Sequence, residues 1–214
     1  MHIPKLFELK STEAIARILR EHRFGLLVTT DAAGAPNATP LPFVYEGDGS
    51  GGRLLAHVSA ANPQAEELRR MAANGQPALA VFQGPHNYAS PTWYGPGNHP
   101  PTWNYLAVHV SGVPDIVEDP AEVDDMLARM TAQEEATREP SWVPENLPME
   151  VRDKLRPALL AFTMPLTKVE AKAKLGQNKP TAARDGLRAG LAAEGTAEAD
   201  ALLAWMEALD AEAV

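Results

Sequence analysis

Apolar residues recur along this chain with two different periods. Near the start, Ile15, Ile18 and Leu19 follow helical spacing behind Ser11 or Thr12, either of which can cap a helix. Gly25 marks the change to FGLLVTT, a β-type run. DAAGAP then reads as a turn, and NATPLPFVYE as a second strand that Pro40 and Pro42 confine to an edge or a bulge. EGDGSGG is a flexible hairpin tip and RLLAHVS a third strand. NPQAEELRRMAANG is a helix capped by Ser59 or Asn62, with Pro63 at its first position and Gly75 past its end. PALAVFQG is the next strand.

Both periods lapse from Pro85 to Pro101. Pro, Gly, Asn and His are too frequent there for regular structure and aromatic residues too frequent for a solvated linker, so an ordered loop is expected. WNYLAVHVSGVPDIVED predicts a long strand broken at Gly112 and Pro114, and Asp119 with Pro120 opens the helix AEVDDMLARMTAQEE. After a connection from Pro140 to Pro148, Pro148 can start MEVRDKLR, and ALLAFTMPLTKVEAKAKL reads as a strand pair kinked at Pro165. The alanine-rich tail from Thr181 predicts two helices broken near Gly195, with Leu202, Trp205, Met206 and Leu209 as an apolar stripe. Six or seven strands with short early connections and peripheral helices predict a mainly antiparallel barrel rather than βαβ units. The 214 residues are read as one domain with a helical C-terminal segment, 181–214.

Composition narrows the function. A net charge of −9 and a pI near 5.1 weigh against a general nucleic-acid surface, which needs clustered Lys and Arg, so any DNA role is local or indirect. Zero cysteines exclude disulfides, thiolate nucleophiles and Cys-type metal sites, and suit a reducing compartment. MHIPKLFELK lacks a secretory apolar segment, and no apolar run approaches the roughly 20 residues that span a bilayer. A cytoplasmic protein is expected.

The densest chemistry lies between Val81 and Gly112, which holds three of the four tyrosines, two of the four tryptophans and three of the six histidines. Tyr88, Trp93, Tyr94, Trp103 and Tyr105 can form a stacking wall for a planar ligand or an interface between subunits; both uses favour Trp and Tyr. His57 to Pro63 runs from a strand end into a helix N-terminus, where backbone N–H groups, the helix dipole, Ser59 and Asn62 can hold a phosphate or simply cap the helix. Lys174, Gln177 and Asn178 are a polar cluster or a turn before the Pro180 helix. The histidines lack metal-ligand spacing, so no metal site is expected. No GxSxG, HExxH, P-loop or GxGxxG is present and no carboxylates pair, so no catalytic residue stands out.

The blocks MHIPKLFE, LVTTDAAGAPNATPLPF, HVSAANPQ, VFQGPHNYASPTWY, PTWNYLAVHVSG and KLGQNK resemble, in this order, the PaiB-like family of FMN-binding split-barrel proteins. The resemblance spans nearly everything from Met1 to Asn178. It implies a six-stranded split β-barrel, a homodimer with FMN between protomers, and a negative transcriptional regulator. An FMN-dependent oxidoreductase, of flavin-reductase or pyridoxamine-phosphate-oxidase type, is the alternative, and a haem-binding relative is a third. By position it places Thr39 and Leu41 beside the isoalloxazine ring and His57, Ser59 and Asn62 near the ribityl phosphate. Gln83, Tyr88, Ser90 and Trp93 follow along the aromatic block. Trp103, Asn104 and Tyr105 enter across the dimer interface, and Lys174, Gln177 and Asn178 close the site. This chain departs from the family at Ala60, where relatives often carry Arg or Tyr, and at Gly176, where they carry Ser.

Overall fold

The computed structural model describes residues 1–212. Ser11 accepts the Ala14 N–H at 3.2 Å and so starts α1 (Thr12–Glu21), whose Ile15, Ile18 and Leu19 are buried. Alternation then takes over in β1 (Phe24–Thr30), where Leu27 and Thr29 point inward. Asp31 closes the following turn by accepting the N–H groups of Ala33 and Ala35, each at 2.8 Å. The chain returns as β2 (Pro36–Pro42), an edge strand, as three prolines that cannot donate to a ladder require.

β3 (Val44–Glu46), β4 (Arg53–Ser59), α2 (Pro63–Ala73), β5 (Ala78–Ala89) and β6 (Thr102–Gly112) come next. They are followed by β7 (Asp115–Val117), α3 (Pro120–Glu135), α4 (Met149–Leu155), β8 (Leu159–Pro165) and β9 (Lys168–Lys174), and the described chain ends in α5 (Thr181–Glu194) and α6 (Ala197–Glu212). The segments form a sheet in the order β2-β1-β5-β6-β9 and another in the order β3-β4-β8-β7, with antiparallel pairing throughout.

Nine segments replace the six or seven strands expected because long strands turn corners. At Phe43, between β2 and β3, at Val113 and Pro114, between β6 and β7, and at Leu166 and Thr167, between β8 and β9, the chain leaves one sheet and joins the other. Traced through these bends, the pairings run β1, β2/β3, β4, β8/β9, β6/β7, β5 and back to β1. Six bent strands thus close a ring around Leu27, Phe43, Leu54, Phe82, Leu106, Val108 and Phe162, all buried. The mainly β architecture with peripheral helices is the one anticipated.

Two local expectations change. The expected loop from Pro85 begins as strand: β5 continues to Ala89 after a bulge between Gln83 and His86, because the aromatic side chains pair across to β6 and carry the ladder past the proline. The segments on either side of Pro165 do not pair with each other; β8 pairs with β4 and β9 with β6. Among the described residues no helix is long and apolar enough to cross a membrane.

Candidate functional site

The sequence-selected residues fall into two groups on different flanks of the ring. One group is Thr39 and Leu41 on β2, His57 and Ser59 on β4, and Asn62 at the head of α2. The Asn62 amide donates to Thr39 Oγ1 at 3.3 Å, while its Oδ1 caps α2 by accepting the Gln64 N–H at 3.0 Å. Leu41 is buried and Ser59 exposed. His57 lines an open crevice of about 350 Å³ with Phe43, Val44, Met130, Glu134 and Trp142. Burial holds its imidazole below the ordinary histidine pKa, so the neutral ring is favoured.

The backbone at this end is already occupied. Ala60 N–H donates to Ala158 O, Ala61 N–H to Ser59 Oγ, Asn62 N–H to Ser59 O and Ala65 N–H to Asn62 O, and Pro63 has no N–H at all. The helix cap has therefore taken the donors that a phosphate nest would use. What remains for an anion is the positive end of the α2 dipole and the exposed Ser59 side chain. No Lys or Arg lies between Ser59 and Gln64.

Beneath α2 is a polar network the sequence pattern did not reveal. Buried Gln64 donates to Thr29 Oγ1 at 2.8 Å and to the carbonyls of Asn37 and Leu27. Buried Glu67 accepts from Thr29 Oγ1 at 2.5 Å and from the Asn37 amide. These residues tie α2 to β1 and β2 and so fix where Asn62 and His57 stand. The readable signal was two polar residues, Gln64 and Glu67, at i and i+3 on the helix face that also carries Leu68 and Met71.

The second group sits across the barrel. Trp103 pairs with Tyr88 across β5 and β6, ring centroids 6.1 Å apart and nearly perpendicular, and His86 lies 6.1 Å from the same indole. Trp103 is 54% exposed and Tyr88 43%, and Gln83 is also exposed. Tyr105 faces Lys174 in the β6–β9 register and has the Lys172 amine 5.2 Å from its ring; Lys174 itself donates to Thr102 Oγ1 at 2.5 Å. Asn104 points inward, buried, and its Nδ2 has no acceptor.

The remaining candidates stand at turns and helix contacts. Ser90 caps the 3-10 turn Pro91–Tyr94. Trp93 packs on α5, where a Cβ at Gly190 would come within 2.3 Å of its ring and one at Gly186 within 2.0 Å of its carbonyl oxygen. Tyr94 is buried beside His99 and Lys179. Gln177 locks its own turn, accepting from Leu175 N–H and donating to Ala173 O, each at 2.7 Å, and Asn178 is exposed. Gly176 takes φ +77° with Leu187 close by, so glycine suits the position and a serine there would be strained. Among the described residues no group of His, Asp or Glu could hold a metal ion.

A closed ring of six bent strands with an aromatic flank and an open apolar crevice defines a split β-barrel of the flavin-binding class. Residues 1–168 match the family model described as "Putative FMN-binding domain", and the chain belongs to that family, whose cofactor is FMN. It is 31% identical over 179 residues, 84% of this chain and 83% of the relative, to "Protease synthase and sporulation protein PAI 2" of Bacillus subtilis. Among solved structures it resembles the FAD and heme binding protein from Mycobacterium smegmatis (TM-score 0.59, 20% identity, 86% of this chain and 80% of that one). The flavocytochrome Anf3 from Azotobacter vinelandii is similar too (TM-score 0.57, 14% identity, 77% and 68%). These two likenesses bear on the fold alone.

The donor set fits the flavin ring better than its phosphate. Phe43, Val44, Met130 and Trp142 give the crevice apolar walls of the kind a tricyclic ring needs, and His57, Thr131 and Glu134 are among the polar groups on its lining. FMN bound in this crevice would supply electron or hydride transfer, and Phe43, Val44, His57, Met130 and Trp142 would hold its ring.

Proposed function

We propose that this protein is a homodimeric FMN-binding regulator built as a single domain, in which each cleft is completed by the β5–β6 face of a second copy. One observation carries the reading. Tyr88 and Trp103, exposed on β5 and β6, stand two or three strands around the ring from Thr39 on β2 and His57 on β4, which favours a second copy as the source of the stacking edge at each cleft. The exposed Tyr88 and Trp103 are then the stacking edge that one protomer offers its partner. On this reading Thr39, Leu41, His57, Ser59 and Asn62 from one copy face Gln83, Tyr88, Trp103, Tyr105 and Lys174 from the other, with Asn104 buried behind that face, and Gln177 and Asn178 border them.

Regulation would act through protein contacts set by flavin occupancy, since the acidic surface is poorly suited to DNA. The absence of cysteine suits a reducing cytoplasm. Light scattering during an FMN titration tests the core of the proposal. A dimer binding two FMN is expected; a monomer that binds FMN with undiminished affinity would defeat it.

The neutral His57 in the crevice favours a second reading, an FMN-dependent oxidoreductase in which this imidazole holds or passes a proton beside the ring. NADPH consumption by the loaded protein decides it: rates no faster than free FMN would exclude the enzyme.

A further inference from the structure

The excursion from α3 through α4 carries chemistry that the flavin cleft does not use. Of nine exposed large apolar residues among those described, five fall within it: Trp142, Val143, Met149, Val151 and Leu155. Between α3 and α4 lies a second cavity, about 440 Å³, lined by Leu127, Leu147, Leu155, Leu159 and Trp142. That volume is within the range of small-ligand pockets.

Its charged lining is almost wholly neutralised from within. Arg156 grips Asp124 through two hydrogen bonds, at 2.9 and 2.7 Å, and also reaches Asp153. Asp125 is paired with Arg129 at 2.7 Å, and Glu145 is exposed. Arg152 is different. Its Nε is buried without an acceptor, and no hydrogen bond or ion pair from its guanidinium is found among the described residues. Every other arginine of the chain donates to a carboxylate, a carboxamide or a backbone carbonyl. A half-buried guanidinium without an acceptor carries an unrecovered desolvation cost, and an arginine set in an apolar cavity is suited to a carboxylate.

We propose that this cavity is a binding site for a small apolar monocarboxylic acid, its hydrocarbon among the leucines and its carboxylate on Arg152. With the other arginine of the lining, Arg156, already paired and Glu145 exposed at the rim, the cavity offers no cation for a second carboxylate on the ligand. The site is separate from the flavin cleft and stands without it, yet the two communicate. Trp142 and Thr131 line both this cavity and the His57 crevice, and Glu135 on α3 accepts the Trp142 backbone N–H at 3.0 Å, so an occupant that shifts the Trp142 indole is felt at His57.

Calorimetry on the full chain with octanoate, and with 1-octanol as the neutral match, tests the assignment. One octanoate per chain is expected, bound at least tenfold more weakly by Arg152→Gln, with octanol binding unchanged by that substitution. Leu127→Trp fills the cavity and should abolish both; if that variant fails to fold, Ala128→Met replaces it. Trp142→Phe should remove the fluorescence change that accompanies octanoate binding. Absence of saturable octanoate binding overturns the proposal, as does equal affinity in Arg152→Gln or full binding in the folded cavity-filled variant.

Discussion

The two flanks proposed to share the flavin differ in how complete they are. At the head of α2 most polar groups have a partner inside the chain: the cap consumes the backbone N–H groups, and Thr29, Asn37, Gln64 and Glu67 bond one another in a network that leaves the Gln64 Oε1 as its one buried atom without a partner among the described residues. On the β5–β6 face the rings of Tyr88 and Trp103 are exposed, 43% and 54%. One flank is finished by folding and the other is left for association. Substitutions at the first should therefore cost stability, and substitutions at the second should cost binding.

The largest effect is expected in the network. Glu67→Ala leaves the Thr29 hydroxyl and the Asn37 amide without their acceptor inside the protein, which costs about 2–3 kcal/mol. For a chain of this size that lowers the melting temperature by roughly 4–12 °C. An unchanged thermal melt would show that this flank is not held by its polar groups.

Trp103→Ala probes the other side of the contrast. Because the indole is half exposed, the isolated barrel should melt almost as the parent does. Loss of a stacking anchor at a shared cleft should weaken FMN by about 2 kcal/mol, roughly thirtyfold in Kd. A large drop in melting temperature with unaltered FMN affinity would reverse the comparison and make Trp103 a core residue.

Ala60→Arg sharpens the contrast at the finished flank. The helix cap has used the local N–H groups, and no cation stands beside them, so FMN and riboflavin should bind this protein with similar strength. An added guanidinium should tighten FMN by about tenfold and leave riboflavin alone. Equal effects on both flavins would move the phosphate away from α2.

How legible these flanks were in the sequence follows from range. Periodicity and caps are local, so Ser11, Asn62, Asp119 and Pro63 marked helix starts, and the alternating runs became strands. The corner at Phe43 and the separation of β8 from β9 depend on which distant strands pair, and no local pattern carries that. The same holds for the candidate site. Asn62 was visible in the polar strand-to-helix block and does reach Thr39, whereas Trp93 looked like Trp103 in composition yet packs on glycines a hundred residues away in α5. Trp142 and Arg152 were silent because their partners, or lack of them, arise only when α4 folds against α3.

The smallest effect concerns protons, and it bears on whether the finished flank is finished at all pH values. Burial is the largest cause holding the pKa of His22, His57 and His109 below the ordinary 6.5. In the unfolded chain each regains its usual value, so as pH falls below about 6.5 the unfolded state binds more protons than the folded one. Stability therefore falls on acidification through that window and is flat above it, as far as histidines contribute. His57→Gln removes one of the three and should reduce the slope of stability against pH by at most one proton, about 1.4 kcal/mol per pH unit. Urea titrations of both proteins at a series of pH values from 7.5 downward measure that slope. A parallel pair of curves would mean that His57 is as well solvated in the folded crevice as in the unfolded chain, and the crevice would then be too wet to seat an apolar ring.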